Sequence, residues 1–143
     1  MVLLHYFFFD KKKFREHVSK GKFLEHAKVL DNYYGTLRQT VMSTVNKGKN
    51  VIMDVDVQGA AQIKRKLKDG CVTVFIVPPS FEVLEKRLKG RKTESKKSIA
   101  KRLSLGKKEM KDRKKYDYII VNDKVKDAVK YLECIVDLEK SEK

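Results

Sequence analysis

Cysteines are scarce in this sequence, and long apolar runs are absent. The two cysteines, Cys71 and Cys134, have no spacing typical of a metal site. Each lies in an apolar pattern, so we expect buried free thiols of the kind that a reducing cytosol preserves. No run of 18 apolar residues exists, which argues against a transmembrane helix. The sequence therefore predicts a cytoplasmic protein with no membrane partner.

The apolar start of the chain lacks the features of a secretory signal. No basic segment precedes the aromatic run, no small-residue cleavage site follows it, and lysines come next. Residues 2–9 are rich in aromatic and branched side chains, so we expect them to form a strand.

Acidic residues are few compared with basic ones. The chain has 19 Asp and Glu against 34 Lys and Arg, a net charge of +15. Residues 85–115 alone hold fifteen basic and four acidic side chains, a net of +11. This excess predicts attraction to polyanions, either from a solvated helix face or from a basic flap over a phosphate chain. No aromatic-rich basic platform accompanies it, so no specific nucleic-acid partner is expected.

The apolar pattern predicts an α/β fold. With 143 residues the chain is long enough for one domain with a core. Continuous apolar runs at 51–54, 72–77 and 118–121 predict strands buried on both faces, and a helical pattern follows each of them. This alternation predicts a parallel sheet flanked by helices. The shorter pieces before residue 37 predict a small mixed sheet, and residues 95–115 predict a long polar helix with a thin apolar face.

Two polar segments form a candidate nucleotide site. The first, N-Y-Y-G-T at 32–36, is a tight turn with aromatic and aliphatic hydroxyls, and the second, D-V-D-V-Q-G at 54–59, begins where a strand ends. Ligands of open α/β sheets bind at the carboxyl ends of strands. The alternative is that Asp54 and Asp56 only cap the helix that follows them.

Six motifs together carry a resemblance to guanylate kinase, a P-loop nucleoside monophosphate kinase. They are F-L-E-H-A at 23–27, N-Y-Y-G-T at 32–36, D-V-D-V-Q-G at 54–59, P-P-S at 78–80, R-L-K-G-R at 87–91 and V-N-D at 121–123. The resemblance runs from about residue 6 onward and implies phosphoryl transfer from ATP to GMP. It implies one domain over 1–143, divided into a GMP-binding subdomain (1–36), a core (37–90 and 116–143) and a helical lid (91–115).

The resemblance also implies which residues bind GMP. Glu25 and Thr36 match the positions that read guanine, where a carboxylate accepts from N1–H and the exocyclic amine and a hydroxyl donates to O6. Such a site rejects adenine, because the carboxylate would be left unpaired. Asp56 matches a position that contacts the guanine amine.

Other matched positions of the family surround the phosphates. Tyr6 and Tyr34 match donors to the GMP phosphate, and Gly35 permits close backbone approach.

The resemblance assigns catalysis and ATP binding to a further group of residues. Arg87, Arg91 and Arg102 match arginines that contact the ATP and GMP phosphates. Asp54 matches the residue that holds Mg²⁺, directly or through water, and Asn122 matches the loop beside the adenine.

One element of the family is missing from this sequence. No G-x-x-x-x-G-K-[ST] motif occurs, and the family places that P-loop before the segment that matches Met1. The chain thus resembles an N-terminally truncated enzyme, and we expect it alone to have little or no activity. The missing strand would leave a gap between the strands that end at Asp54 and Asn122. We expect poor stability, or a filler strand from residues 2–4, a neighbouring chain or a separate N-terminal piece.

Small departures and two alternative functions complete the comparison. The family usually has glycine at the positions of Asp31 and Lys92, both in turns. A non-catalytic guanylate-kinase-like module that binds GMP or a phosphopeptide would fit the missing P-loop, but the retained Glu25, Thr36 and lid arginines argue against it. A basic RNA-binding protein would fit the charge, and its binding would fall steeply with salt and ignore base identity.

Overall fold

The computed structural model describes residues 2–3, 10–29, 32–90 and 95–141. These residues group into two units, residues 1–72 and residues 73–143. Within the described part of the chain, no helix is both long and apolar enough to cross a membrane. The division into subdomain, core and lid stays a prediction.

The described residues of the first unit form three α-helices, a 3₁₀ turn (Lys68–Gly70) and two pairs of strands. Its elements are β1 (Val2–Leu3), α1 (Lys11–Ser19), β2 (Phe23–Val29), β3 (Asn32–Leu37), α2 (Arg38–Val45), β4 (Val51–Ile52) and α3 (Val57–Leu67). Strands β2 and β3 are antiparallel, with a shift of register between Phe23 and Glu25. Asp10 begins α1 by accepting a hydrogen bond from the Lys13 backbone N–H at 2.8 Å, and Gly21 follows the helix with φ +61°.

Strand β4 has a partner from the start of the chain. Strand β1 runs parallel to it, with Val2 opposite Val51 and Leu3 opposite Ile52. Among the sources expected for a filler strand, this pairing supports residues 2–4, of which Leu4 lies outside the described residues.

The core of the first unit lies between β2, α2 and α3. Leu24, Val41 and Ile63 are buried together, and four partly buried apolar side chains pack against them: Met53, Val55, Leu67 and Cys71. Full burial of a side chain such as Leu24 contributes about 1.5–3 kcal/mol to stability. This packing fixes α3 against β2, the two elements that carry Gly59 and Glu25.

In the second unit, the residues that the structure describes form a parallel strand pair and three α-helices. Its elements are β5 (Val74–Val77), α4 (Phe81–Gly90), α5 (Lys96–Glu109), a 3₁₀ turn (Met110–Lys115), β6 (Tyr118–Val121) and α6 (Val125–Ser141). Strands β5 and β6 are parallel, in register from Val74 opposite Tyr118 to Val77 opposite Val121. The backbone N–H and the hydroxyl of Thr73 both donate to Asp117 Oδ2 at 2.8 Å, which joins the two strands where they begin.

The α/β class is confirmed, and the details differ from the sequence prediction in three ways. The described strands form three two-stranded sheets, and Ile76, Ile119 and Val121 are about half exposed, so β5 and β6 are not buried on both faces. The predicted long helix changes to 3₁₀ geometry after Glu109. Both cysteines are free as predicted, but neither is fully buried, since Cys71 is partly exposed and Cys134 is exposed.

Candidate functional site

Glu25 is the residue around which the candidate site is built. Among the described residues it is the one charged side chain that is buried, with 2% of its surface exposed. Its partner across the hairpin is Thr36, and the Thr36 hydroxyl donates to Glu25 Oε1 at 2.6 Å. The two residues that the resemblance assigns to guanine are therefore in direct contact.

The first turn of α3 lies against the other oxygen of this carboxylate. A Cβ on Gly59 would be 2.8 Å from Glu25 Oε2, so any larger residue would force the carboxylate to shift, and glycine at position 59 permits this close approach. The helix N-terminus carries partial positive charge, which favours a carboxylate there.

Asp56 is engaged by its own helix. Its Oδ1 accepts from the Gly59 backbone N–H at 2.9 Å, and its Oδ2 accepts from Gln58 Nε2 at 3.0 Å. The capping interpretation is thus confirmed for Asp56. A contact between Asp56 and the guanine amine stays a prediction.

The surroundings of Glu25 raise its pKa. Burial is the largest cause, and the negative charge of Asp56 adds to it, while the hydrogen bond from Thr36 acts in the opposite direction. An ionised carboxylate has about four acceptor positions, and the Thr36 hydroxyl fills one of them. This carboxylate is suited to accept further hydrogen bonds from a ligand that brings paired N–H donors.

Two other hairpin residues with predicted roles, Tyr34 and Gly35, precede Thr36 on β3. Tyr34, on β3 opposite Ala27, is 42% exposed and can present its ring to solvent or to a ligand. Gly35 is buried, and a Cβ there would be 2.9 Å from the Phe23 ring. Packing against Phe23 therefore requires this glycine whether or not a ligand approaches it. Tyr6 lies outside the described residues.

Asp54 follows β4 by two residues and is exposed, as a metal ligand at a strand end would be. Within the described part of the chain, no group of three or more potential metal-ligating side chains occurs. Mg²⁺ in nucleotide sites is commonly held by one or two carboxylates together with phosphates and water. One carboxylate at this position fits such a metal, with the substrate supplying other ligands.

In the second unit, Arg87 and Asn122 are directly joined. The two guanidinium nitrogens of Arg87, Nη1 and Nη2, donate to the backbone carbonyls of Asn122 and Asp123, each at 2.7 Å. Asn122 Oδ1 is buried and has no hydrogen-bond partner among the residues that the structure describes. Arg87 thus supports the loop after β6, a contact that the sequence did not predict.

Of the other two arginines, Arg102 lies exposed on α5 and Arg91 lies outside the described residues, as do Asp31 and Lys92. The phosphate contacts assigned to all three arginines stay predictions.

Sequence reasoning missed two residues that contact the backbone on either side of Glu25. Gln62 binds the main chain of His26, and Lys66 binds the carbonyls of Phe23 and Leu24. The signal available in the sequence was their four-residue spacing, which places both on one face of α3.

Comparisons with known proteins agree on one family. The family model described as guanylate kinase matches residues 4–139. The guanylate kinase of Clostridioides difficile (strain 630) is 44% identical over 138 residues, covering 96% of this chain and 67% of the relative. That of Clostridium tetani is 43% identical over 135 residues, covering 94% and 64%.

A solved structure agrees with these relatives. The crystal structure of guanylate kinase from Anaplasma phagocytophilum matches with a TM-score of 0.78 and 30% identity, covering 93% of this chain and 64% of that one. The chain therefore spans about two thirds of the length of these proteins.

Proposed function

Since this chain belongs to the guanylate kinase family, we propose that the protein transfers a phosphoryl group from ATP to GMP, giving ADP and GDP. The observation that supports this most strongly is the buried Glu25, held by Thr36 and approached by Gly59. The described residues supply the base-reading part of such an enzyme.

Guanine recognition follows from the chemistry of Glu25. When ionised, the carboxylate accepts hydrogen bonds from guanine N1–H and from the exocyclic amine, the two donors on that edge of the base. The Thr36 hydroxyl has a single proton, which it donates in the hydrogen bond to Glu25 Oε1 in this structure. Once guanine donors replace it, that proton becomes available for guanine O6.

Adenine would be rejected by the same arrangement. Adenine has an acceptor at N1 and no amine at C2, so the buried carboxylate would receive no donor from the base and would keep only the hydrogen bond from Thr36. Buried charge with too few hydrogen bonds costs several kcal/mol, and sites built to bind substrate N–H groups discriminate strongly for this reason. The site therefore selects GMP over AMP.

Phosphoryl transfer needs charge neutralisation more than covalent chemistry. Asp54 would hold Mg²⁺, which when bound with ATP offsets the charge of the phosphates. Arg102 and Arg91 would donate to phosphate oxygens, and Tyr34 would donate its hydroxyl to the phosphate of GMP. Arg87 supports the loop that carries Asn122, which is assigned to the side of the adenine.

The test is a calorimetric titration of the purified chain with GMP and then with AMP, at one moderate salt concentration. We expect GMP to bind and AMP to bind at least 100-fold more weakly, since discrimination of about 3 kcal/mol follows from one unpaired buried charge. Equal affinities that fall steeply with salt would contradict the proposal, because they describe non-specific attraction to polyanions.

A further inference from the structure

Helix α3 presents three side chains to the edge of β2 that faces away from β3. Gln62 engages both backbone groups of one strand residue: its Nε2 donates to His26 O at 2.6 Å and its Oε1 accepts from His26 N at 3.2 Å. Lys66 Nζ donates to Leu24 O at 2.6 Å and to Phe23 O at 3.1 Å. Gln58 Nε2 makes a longer contact to Lys28 O at 3.4 Å.

The match between helix and strand has a geometric cause. Four residues of a helix rise about 6 Å, and two residues of an antiparallel strand span about 6.8 Å. Side chains at 58, 62 and 66 can therefore reach alternate strand residues in turn, and in an antiparallel strand alternate residues point both backbone groups to the same side. The side chains of α3 thus occupy the place that a further strand would take.

The two strong contacts lie on either side of Glu25. Lys66 binds the carbonyls of Phe23 and Leu24, which precede Glu25 at the point where the β2–β3 register shifts. Gln62 binds both backbone groups of His26, which follows Glu25. A register shift removes the regular strand pairing that would otherwise fix the backbone. Lys66 therefore holds the part of β2 that β3 holds least, and Gln62 holds the residue that follows Glu25 from the other edge of the strand.

We propose that Gln62 and Lys66 are positioning residues that fix the backbone around Glu25 and thereby set the preference for guanine. This inference rests on the proposed function, since it assigns a role in reading the base. The carboxylate of Glu25 has little room to move. The carboxylate is 2.6 Å from the Thr36 hydroxyl on one side, and a single added methyl group at Gly59 would collide with it on the other. A small shift of β2 would change both contacts.

The discriminating measurement compares GMP with inosine monophosphate (IMP), which keeps N1–H and O6 but lacks the exocyclic amine. A variant that merely weakens the fold lowers both affinities together and leaves their ratio unchanged. A variant that displaces the carboxylate of Glu25 loses the bond to the amine, so the ratio of GMP to IMP affinity falls. The ratio therefore separates positioning from general stability.

The test variants are Gln62→Leu and Lys66→Met. We expect each to lower the GMP-to-IMP affinity ratio on the order of tenfold, the loss of one hydrogen bond to a charged group. Lys66→Arg keeps donors for the two carbonyls and should retain most of the ratio. A matched control is Lys64→Met, because Lys64 lies on the same helix but donates to Cys71 O instead. A ratio that is unchanged in both test variants would overturn the proposal.

A second measurement separates failure of this inference from failure of the proposed function. If the unaltered chain shows no preference for GMP over AMP, the proposed function fails, and the ratio of GMP to IMP affinity no longer reports on positioning. The positioning role is then decided by NMR of the carboxyl carbon of Glu25 and by hydrogen exchange of the His26 amide. A shifted carboxyl signal with at least tenfold faster exchange in Gln62→Leu supports positioning, and an unchanged carboxyl signal overturns it.

Discussion

Replacing Glu25 with glutamine separates recognition of guanine from stability of the fold. The variant keeps nearly the same shape, and its amide oxygen can still accept the hydrogen bond from Thr36 that the carboxylate accepts now at 2.6 Å. The change removes the negative charge and turns one acceptor atom into a donor. The amide nitrogen would then face one of the two guanine N–H donors.

The expected loss of GMP affinity follows from these contacts. Hydrogen bonds to a charged group contribute about 1.5–3 kcal/mol each, and the variant loses one of them and weakens the other. A total of about 2–4 kcal/mol corresponds to roughly 30- to 1,000-fold weaker binding. Affinity for AMP should change little, because adenine offers neither donor.

The thermal stability of the chain without ligand should not fall along with its GMP affinity. Burial raises the pKa of Glu25, so the folded state favours the protonated carboxyl and the charged form is a liability when no ligand is bound. The stability contributed by the neutral form is present below the ordinary pKa and is lost as the pH rises through the raised pKa. At neutral pH the Glu25→Gln chain should therefore melt no lower than the unaltered chain.

Calorimetric titration and a thermal melt measure these two effects on the same preparations. Glu133→Gln, an exposed residue on α6, is the matched control and should leave both unchanged. The reasoning would be refuted if Glu25→Gln bound GMP as tightly as the unaltered chain, or if it lost GMP binding only together with its folded structure.

Two further predictions concern pH and Arg87. Affinity for GMP should fall as the pH is lowered through the raised pKa of Glu25, with a midpoint above the ordinary value of 4.5, because the protonated carboxyl can no longer accept from both guanine donors. Titrations of Glu25→Gln across this range should lack this fall and keep only the pH dependence of the GMP phosphate, whose second pKa is about 6. A midpoint at or below the ordinary pKa, after this common dependence is subtracted, would contradict the assignment. Arg87→Leu should lower the unfolding free energy by about 1–3 kcal/mol in a denaturant titration, because it removes two charge-assisted hydrogen bonds to the loop after β6. Arg87→Lys should lie between the two chains, and equal stability of all three would show that the loop does not depend on this contact.

Elements with strong local signals were predictable from the sequence. Helix α1 spans residues 11–19 because two signals that are visible in the sequence fix its ends: Asp10 caps it and Gly21 follows it. Strand β6 spans the predicted residues 118–121. Ser80 and Ser95 are N-cap residues of the type that the sequence favours, and they cap α4 and α5 with hydrogen bonds of 3.3 and 3.2 Å. In each case the residues that decide the boundary are neighbours in sequence.

Contacts between distant residues could not be predicted in the same way. The pairing of Gln62 with His26 spans 36 residues, and that of Arg87 with Asn122 spans 35. No periodicity tells which backbone groups a polar side chain will meet across that distance. The family resemblance assigned Arg87 to phosphate, and the structure shows its guanidinium bound to two carbonyls. A resemblance transfers the identity of a residue more reliably than its contacts in one state of the protein.

Asp56 and Glu25 differ in whether the stability of the fold accounts for the presence of an acidic side chain. Asp56 stabilises α3 as its cap, a contribution of about 1 kcal/mol, so its presence is explained without any ligand. Glu25 has the opposite balance, because its burial raises the free energy of the charged form and a neutral residue would fit the same place. A residue that lowers stability where it stands is expected at a functional site. Glu25 therefore connects this structure to guanine recognition more directly than the strand-end carboxylates do.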